Sequence, residues 1–165
     1  MKILTTLLVL FSVSFLLSAQ GPQMNEQIIN EDEHAAQLEK KVMESCELLL
    51  NTPVNKKDEN RINASQLIIQ WMESTSDYSF PIDENIYMLT KSNASMLNVY
   101  LASLVKATLD NINPYENEKE VKINCVNTFL DYCSIPRNKL KPNKGIKKML
   151  QARDSGTLTD YLALK

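Results

Sequence analysis

Apolar residues recur at helical spacing along most of this chain. Ala35, Leu38, Val42, Cys46 and Leu49 follow one another at steps of three or four, which places them on one stripe of a helix from about Glu31 to Asn51. Thr52-Pro53 ends it, because the residue before a proline is pushed out of the helical region. A second helix is predicted from about Asp58 to Ser74, with Ile62, Ile69 and Met72 on its inner side and Leu67, Ile68 and Trp71 widening the face. Ser79-Phe80-Pro81 interrupts the pattern, and Asp83 can cap a short helix through Leu89. Ser92 or Asn93 then opens the most apolar segment, in which Met96, Leu97, Val99, Tyr100, Leu101, Leu104, Val105 and Leu109 are interleaved with small Ala102 and Ala107. A helix apolar nearly all round belongs at the centre of a bundle.

Asn113-Pro114-Tyr115-Glu116 reads as the next helix start. Asn113 can accept from orphan amides, Pro114 has no amide to leave unpaired, and Glu116 can reach back as in a capping box. That helix should run to about Cys133, with Val121, Cys125, Phe129 and Cys133 as its stripe. Beyond Pro136 and Pro142 the pattern predicts a helix with Ile146, Met149 and Leu150 inward, a stop at Ser155-Gly156, and a last short helix with Thr157 and Asp160 as its capping box. Only Gly21, Gly145 and Gly156 are glycines, and no segment sustains a strand's alternation. The expected fold is all-α: a single bundle-like domain of six or seven helices over residues 31–165. A short helical-repeat-like curl is the alternative architecture, although no set of residues recurs at a period of roughly 30 to 45.

The start of the chain follows a different pattern. Lys2 precedes an apolar run from Ile3 to Leu17, broken only by Thr5, Thr6, Ser12 and Ser14, and the small residues Ser18 and Ala19 follow. Residues 1–19 therefore read as a secretory signal peptide cleaved after Ala19, the run being shorter than the ~20 residues of a membrane span. An uncleaved N-terminal anchor is the rival, because Leu17 is larger than a cleavage site prefers at that position. Residues 20–30 read as a polar tether. The expected location is secreted or periplasmic, with no transmembrane segment after signal cleavage. The roughly 146 residues that remain suffice for one domain that needs no disulfide to fold. A formal net charge of −2 argues for neither a nucleic-acid partner nor wholesale membrane binding.

Three cysteines is an odd count for an oxidising compartment. Cys125 and Cys133 lie eight positions apart on one predicted helix, about 12 Å along its axis, beyond disulfide reach. A bridge of Cys46 with Cys125 or Cys133 remains a candidate; the plain alternative is three small buried hydrophobes. Thiol chemistry has little support, since Lys122, three residues from Cys125, belongs to its helix's polar face. His34 is the single histidine, in the acidic stretch Glu31-Asp32-Glu33-His34. Glu31 and His34 resemble half of a di-metal carboxylate site, but the second histidine such a site needs does not exist. No C-x-x-C offers structural zinc and no Gly-x-Ser-x-Gly elbow presents a serine, so no metal, cofactor or catalytic residue is assigned. Asn63-Ala64-Ser65 and Asn93-Ala94-Ser95 match the glycosylation pattern, although Asn93 already has a role as a helix start.

Charge is distributed unevenly. Glu26, Glu31, Asp32, Glu33, Glu39, Glu44 and Glu47 outnumber Lys40 and Lys41, whereas Arg137, Lys139, Lys141, Lys144, Lys147, Lys148 and Arg153 occur with no acid from Pro136 to Arg153. Arg137, Lys139, Lys141, Lys144, Lys147 and Lys148 form a candidate anion-binding patch for an envelope polysaccharide, lipid headgroups or an acidic protein face. The competing reading is a solvated stretch that faces the acidic first helix of its own domain. Stacking aromatics are missing there, which argues against nucleic acid.

The expected function is that of an exported, non-catalytic helical module that interacts with a protein or holds a small apolar ligand. Trp71, Phe80, Tyr87, Met88, Met96 and Tyr100 are the candidate lining of an apolar pocket. Two alternatives stand beside it. One is a small secreted enzyme using paired carboxylates among Asp77, Asp83 and Glu84; the other is an inhibitor or immunity protein acting through the acidic first helix.

Overall fold

Seven α-helices form in the computed structural model, which describes residues 31–80 and 82–163. They are α1 (Glu31–Asn51), α2 (Glu59–Ser74), α3 (Glu84–Thr90), α4 (Ala94–Leu109), α5 (Glu118–Ser134), α6 (Lys144–Asp154) and α7 (Leu158–Tyr161), with a 3-10 turn at Pro136–Asn138. The signal peptide and tether expected over residues 1–30 lie outside the described residues. Among those residues no helix is long and apolar enough to cross a membrane.

Local chemistry sets most of the boundaries. Asp58 accepts from the amides of Asn60 and Arg61, Asp83 from those of Asn85 and Ile86, Asn93 from that of Met96, and Asn143 from that of Ile146. Each side chain satisfies an amide that the first turn of its helix leaves unpaired, a contribution of about 1 kcal/mol per cap. Gly156, at φ 74°, ends α6. Its amide bonds to Arg153 O and that of Thr157 to Ala152 O, a left-handed stop in which glycine carries no Cβ penalty.

Two predicted starts differ. Asn113 does not cap α5: its carbonyl accepts from the Glu116 and Asn117 amides in a separate turn, and the helix begins at Glu118. An Asn-Pro pair suits a turn as well as a helix start, and here the chain is drawn across toward Asp77, whose carbonyl accepts from the Tyr115 hydroxyl. Thr157 does not form a capping box either, because its hydroxyl bonds back to Ala152 O and to Ser155.

Helix α4 stands at the centre, packed on α1, α2, α3 and α5, while α5 carries α6 and α6 carries α7. A helix shared among four neighbours makes a bundle; in a repeat array each unit touches only the next. Val99, Ala102, Ser103 and Val105 of α4 are wholly buried. The larger of two core clusters joins Met96, Val99, Tyr100 and Leu104 to Val126, Phe129 and Leu130 of α5 and to Ile146 and Met149 of α6. Tyr100 and Phe129 meet edge to face there at 5.8 Å. The smaller joins Val42, Cys46 and Leu49 of α1 to Ala64, Ile68 and Trp71 of α2 and to Ala102 and Val105 on α4. Helix α6 reaches α3 through Gly145, where an added Cβ would run into the Leu89 side chain, and through Asn143 Nδ2, which donates to Leu89 O at 2.7 Å.

The buried face of α2 is rotated from the predicted one. Ile62 and Ile69 are exposed, and Arg61, Ala64, Ser65, Ile68 and Trp71 face inward. Arg61 is drawn in by the end of α1: its Nη1 donates to Leu49 O at 3.0 Å, to Thr52 O at 2.9 Å and to the Thr52 hydroxyl. Carbonyls in the last turn of a helix lack helical partners and carry the negative end of its dipole, so a buried guanidinium is satisfied there without a carboxylate. Tyr132 of α5 donates to the same Thr52 O at 2.7 Å. Asn138 accepts from the Val54 amide at 2.9 Å, and its Nδ2 donates to Tyr132 O at 3.0 Å. The end of α1, the start of α2, the end of α5 and the 3-10 turn are thereby tied at one polar junction.

Candidate functional site

A cavity of about 470 Å³ opens between α4, α5, the loop residues Tyr78, Ser79, Ile82 and Asp83, and the turn at Pro114-Tyr115. Helical spacing builds its floor. Tyr100, Leu104 and Thr108 succeed one another at steps of four on α4, and Val121, Lys122, Cys125 and Val126 stand at steps of three and four on α5. The Tyr115 hydroxyl bonds to Asp77 O, so the two loops that form its walls are latched to each other.

One ion pair lies on the wall: Lys122 Nζ is 2.6 Å from Asp83 Oδ2. Burial alone would raise the Asp83 carboxyl, but the Lys122 hydrogen bond and charge and the Ile86 and Asn85 amides outweigh it and hold the group below the usual carboxylate range. Burial pushes the Tyr100 phenol up, and burial followed by Glu39 does the same for Tyr78. Both phenols therefore stay protonated as hydrogen-bond donors at neutral pH. The Cys125 thiol is raised by burial as well and belongs to the floor as a neutral group. Inside, the cavity presents apolar surface, phenols and a self-compensated ion pair, while Glu118 and Lys119 sit exposed at its edge.

Of the residues predicted to line an apolar pocket, Tyr100 alone lines this one. Trp71 and Phe80 pack together with ring centroids 5.5 Å apart, joined by Tyr78, as a cluster that folds the loop after α2 onto that helix. Met96 is buried in the larger core cluster, and Tyr87 and Met88 are exposed on α3. The predicted set is not brought together. Lys122, expected on a polar face, crosses instead to Asp83. Among the three candidate carboxylates only Asp83 lines the cavity; Asp77 accepts from Ser76 at the surface, and Glu84 is exposed. An aspartate held ionised by lysine and two amides is not a proton donor at neutral pH.

The candidate bridge of Cys46 with Cys125 or Cys133 is not formed, and all three cysteines are free and buried. Cys46 lies in the α1, α2, α4 cluster and the other two in the cluster of α4, α5 and α6. Burial pushes the Cys46 and Cys133 thiols up to about 12. A thiol held neutral in this way is a poor nucleophile at physiological pH. Among the described residues no three His, Cys, Asp or Glu side chains converge, and His34 is exposed on α1.

No protein-family model matches this sequence, and no curated protein or solved structure is similar to it.

Arg137, Lys139, Lys141, Lys144, Lys147 and Lys148 are all exposed. Among the described residues none of the six is ion-paired with an acid of α1. Helix α6 packs on α5 and α7, and Arg153 pairs with Asp131 of α5 at 2.7 Å. Lys139, Lys141 and Lys147, with Arg153, line a second groove of about 590 Å³, whereas Arg137, Lys144 and Lys148 lie outside its lining. Lys139 adopts the left-handed backbone region at φ 57°, a conformation that costs a non-glycine residue about 1 kcal/mol.

Proposed function

We propose that this chain is an exported, non-catalytic module that holds a small, mostly apolar molecule carrying one hydrogen-bonding group. The observation that carries the reading is the 470 Å³ cavity, whose volume falls in the range that encloses a small organic ligand. Its floor of Leu104, Val121, Cys125 and Val126 suits an apolar body, and Tyr100 offers a neutral donor to a carbonyl or hydroxyl. Because Asp83 and Lys122 already neutralise each other, a ligand charge would have no free partner inside the cavity. The signal-like pattern from Lys2 to Ala19 supports export.

The uncharged probe N-phenyl-1-naphthylamine tests the cavity. Its fluorescence should rise saturably with the chain beginning at Gln20, at a micromolar Kd. Val121→Phe and Leu104→Trp, each adding side-chain volume to the floor, should weaken binding by about tenfold or more, the equivalent of about 1.4 kcal/mol. Overpacking costs typically 1–3 kcal/mol, so thermal unfolding of both variants is followed in parallel. Probe binding that survives in both folded variants would place the ligand elsewhere.

A further inference from the structure

We infer that the groove between the Lys139-Lys141 segment and α6 is a docking site for an acidic segment of a partner protein, one that carries aliphatic side chains between its carboxylates. The lining shares no residue with the cavity, so the inference stands apart from the ligand-holding reading. Charge is the first argument. From Pro136 to Arg153 the chain contains seven cationic residues and no acid, and the fold gathers Lys139, Lys141, Lys147 and Arg153 around one depression. Asp154 also lines it, 3.7 Å from the Arg153 guanidinium, which leaves the three lysines as the cationic wall; among the described residues none of the three has an ion-pair partner.

Shape and floor separate the partner classes. Lys139 and Lys141 are exposed with Leu140 buried between them, so this stretch offers a charged rim above an apolar base, which Cys133 and half-buried Leu150 extend. A bilayer is flat and would be gripped by protruding apolar side chains, but none of the large exposed hydrophobic residues lines this groove. A single-stranded nucleic acid would call for an aromatic platform, and the lining contains no aromatic ring. A concave cationic rim over an aliphatic floor matches a peptide in which acidic and aliphatic residues are mixed.

A fluorescein-labelled dodecapeptide of Glu with Leu at every third position is titrated with the chain beginning at Gln20. Binding should saturate at low salt and weaken by about tenfold or more as salt shortens the screening length from about 30 Å at 0.01 M to about 8 Å at 0.15 M. Combined Lys139→Gln, Lys141→Gln and Lys147→Gln should weaken it by roughly tenfold at an unchanged thermal midpoint, since solvated surface charges contribute little to folding. Lys144→Gln with Lys148→Gln, outside the groove, should change it by less than about threefold. Replacing each Leu of the peptide by Ser should weaken it as well. No saturable binding at 0.01 M salt, or equal losses from the two sets of lysine variants, would overturn the groove as a site. Tighter binding to phosphatidylglycerol vesicles or polygalacturonate than to the peptide would overturn the partner class.

Discussion

Val99→Asp is expected to leave the chain without a cooperative unfolding transition. Val99 is wholly buried on the helix that four others pack against. An unpaired carboxylate there costs several kcal/mol, against a typical total stability of about 5–15 kcal/mol. The loss falls on the larger core cluster, where Val99 keeps company with Met96, Phe129 and Leu130. Leu104→Asp, five residues further along the same helix, should be milder, because Leu104 borders the cavity, where water can reach the new carboxylate. Met88→Asp, at a position 53% exposed, should shift stability by no more than about 0.5 kcal/mol. Far-UV circular dichroism across a urea titration ranks the three. A parental midpoint for Val99→Asp would mean that α4 is not the centre of the core.

Arg61→Ala should lower stability by about 3 kcal/mol, a large effect for a residue that sequence pattern assigns to the surface. Two terms add. The carbonyls of Leu49 and Thr52 and the Thr52 hydroxyl lose their shared donor at a buried position, and the aliphatic stem that fills the space between α1 and α2 is removed. Arg61→Met, which keeps most of the stem, isolates the first term and should cost about 1–2 kcal/mol. Arg61→Lys should fall between the parent and Arg61→Met, since an ammonium keeps the charge at the helix end but does not reproduce the planar fork. The check is the urea midpoint at constant slope. A loss below about 0.5 kcal/mol for Arg61→Ala would show that water satisfies the end of α1 equally well.

Arg61 also explains what could and could not be read from the sequence. Helix starts whose cap lies within their own first turn were legible: Asp58, Asp83 and Asn93 act on amides two or three residues away. The centrality of α4 was legible too, because a helix apolar on every side has nowhere else to go. The inward face of α2 was not, since Arg61 counts as polar until the end of α1 is placed beside it, and Ile62 and Ile69 then count as core. Asn113-Pro114 satisfied every local criterion for a helix start and still formed a turn, the decision resting with Tyr115 and Asp77, 38 residues apart. The cavity was illegible for the same reason. Its floor pairs Tyr100 and Leu104 with Val121 and Cys125, residues that look like ordinary core on two separate helices, and its ion pair joins a cap residue to a lysine one helix face away. The basic run was plain in the sequence, but which lysines share a depression depended on where α6 crosses α5.

The burial of the thiols has a consequence for how the molecule comes apart. Cys46 reports on the α1, α2 side of α4, and Cys125 and Cys133 on the α5, α6 side. A thiol raised by burial is alkylated only while its surroundings are open. The chain thus carries two internal clocks: the alkylation rate of Cys46 times the departure of the first helical pair, and those of Cys125 and Cys133 time the release of α5. In an oxidising compartment the same enclosure keeps an odd complement of thiols out of mixed disulfides while the fold lasts, so disulfide-linked multimers would be a tally of the molecules that had already opened.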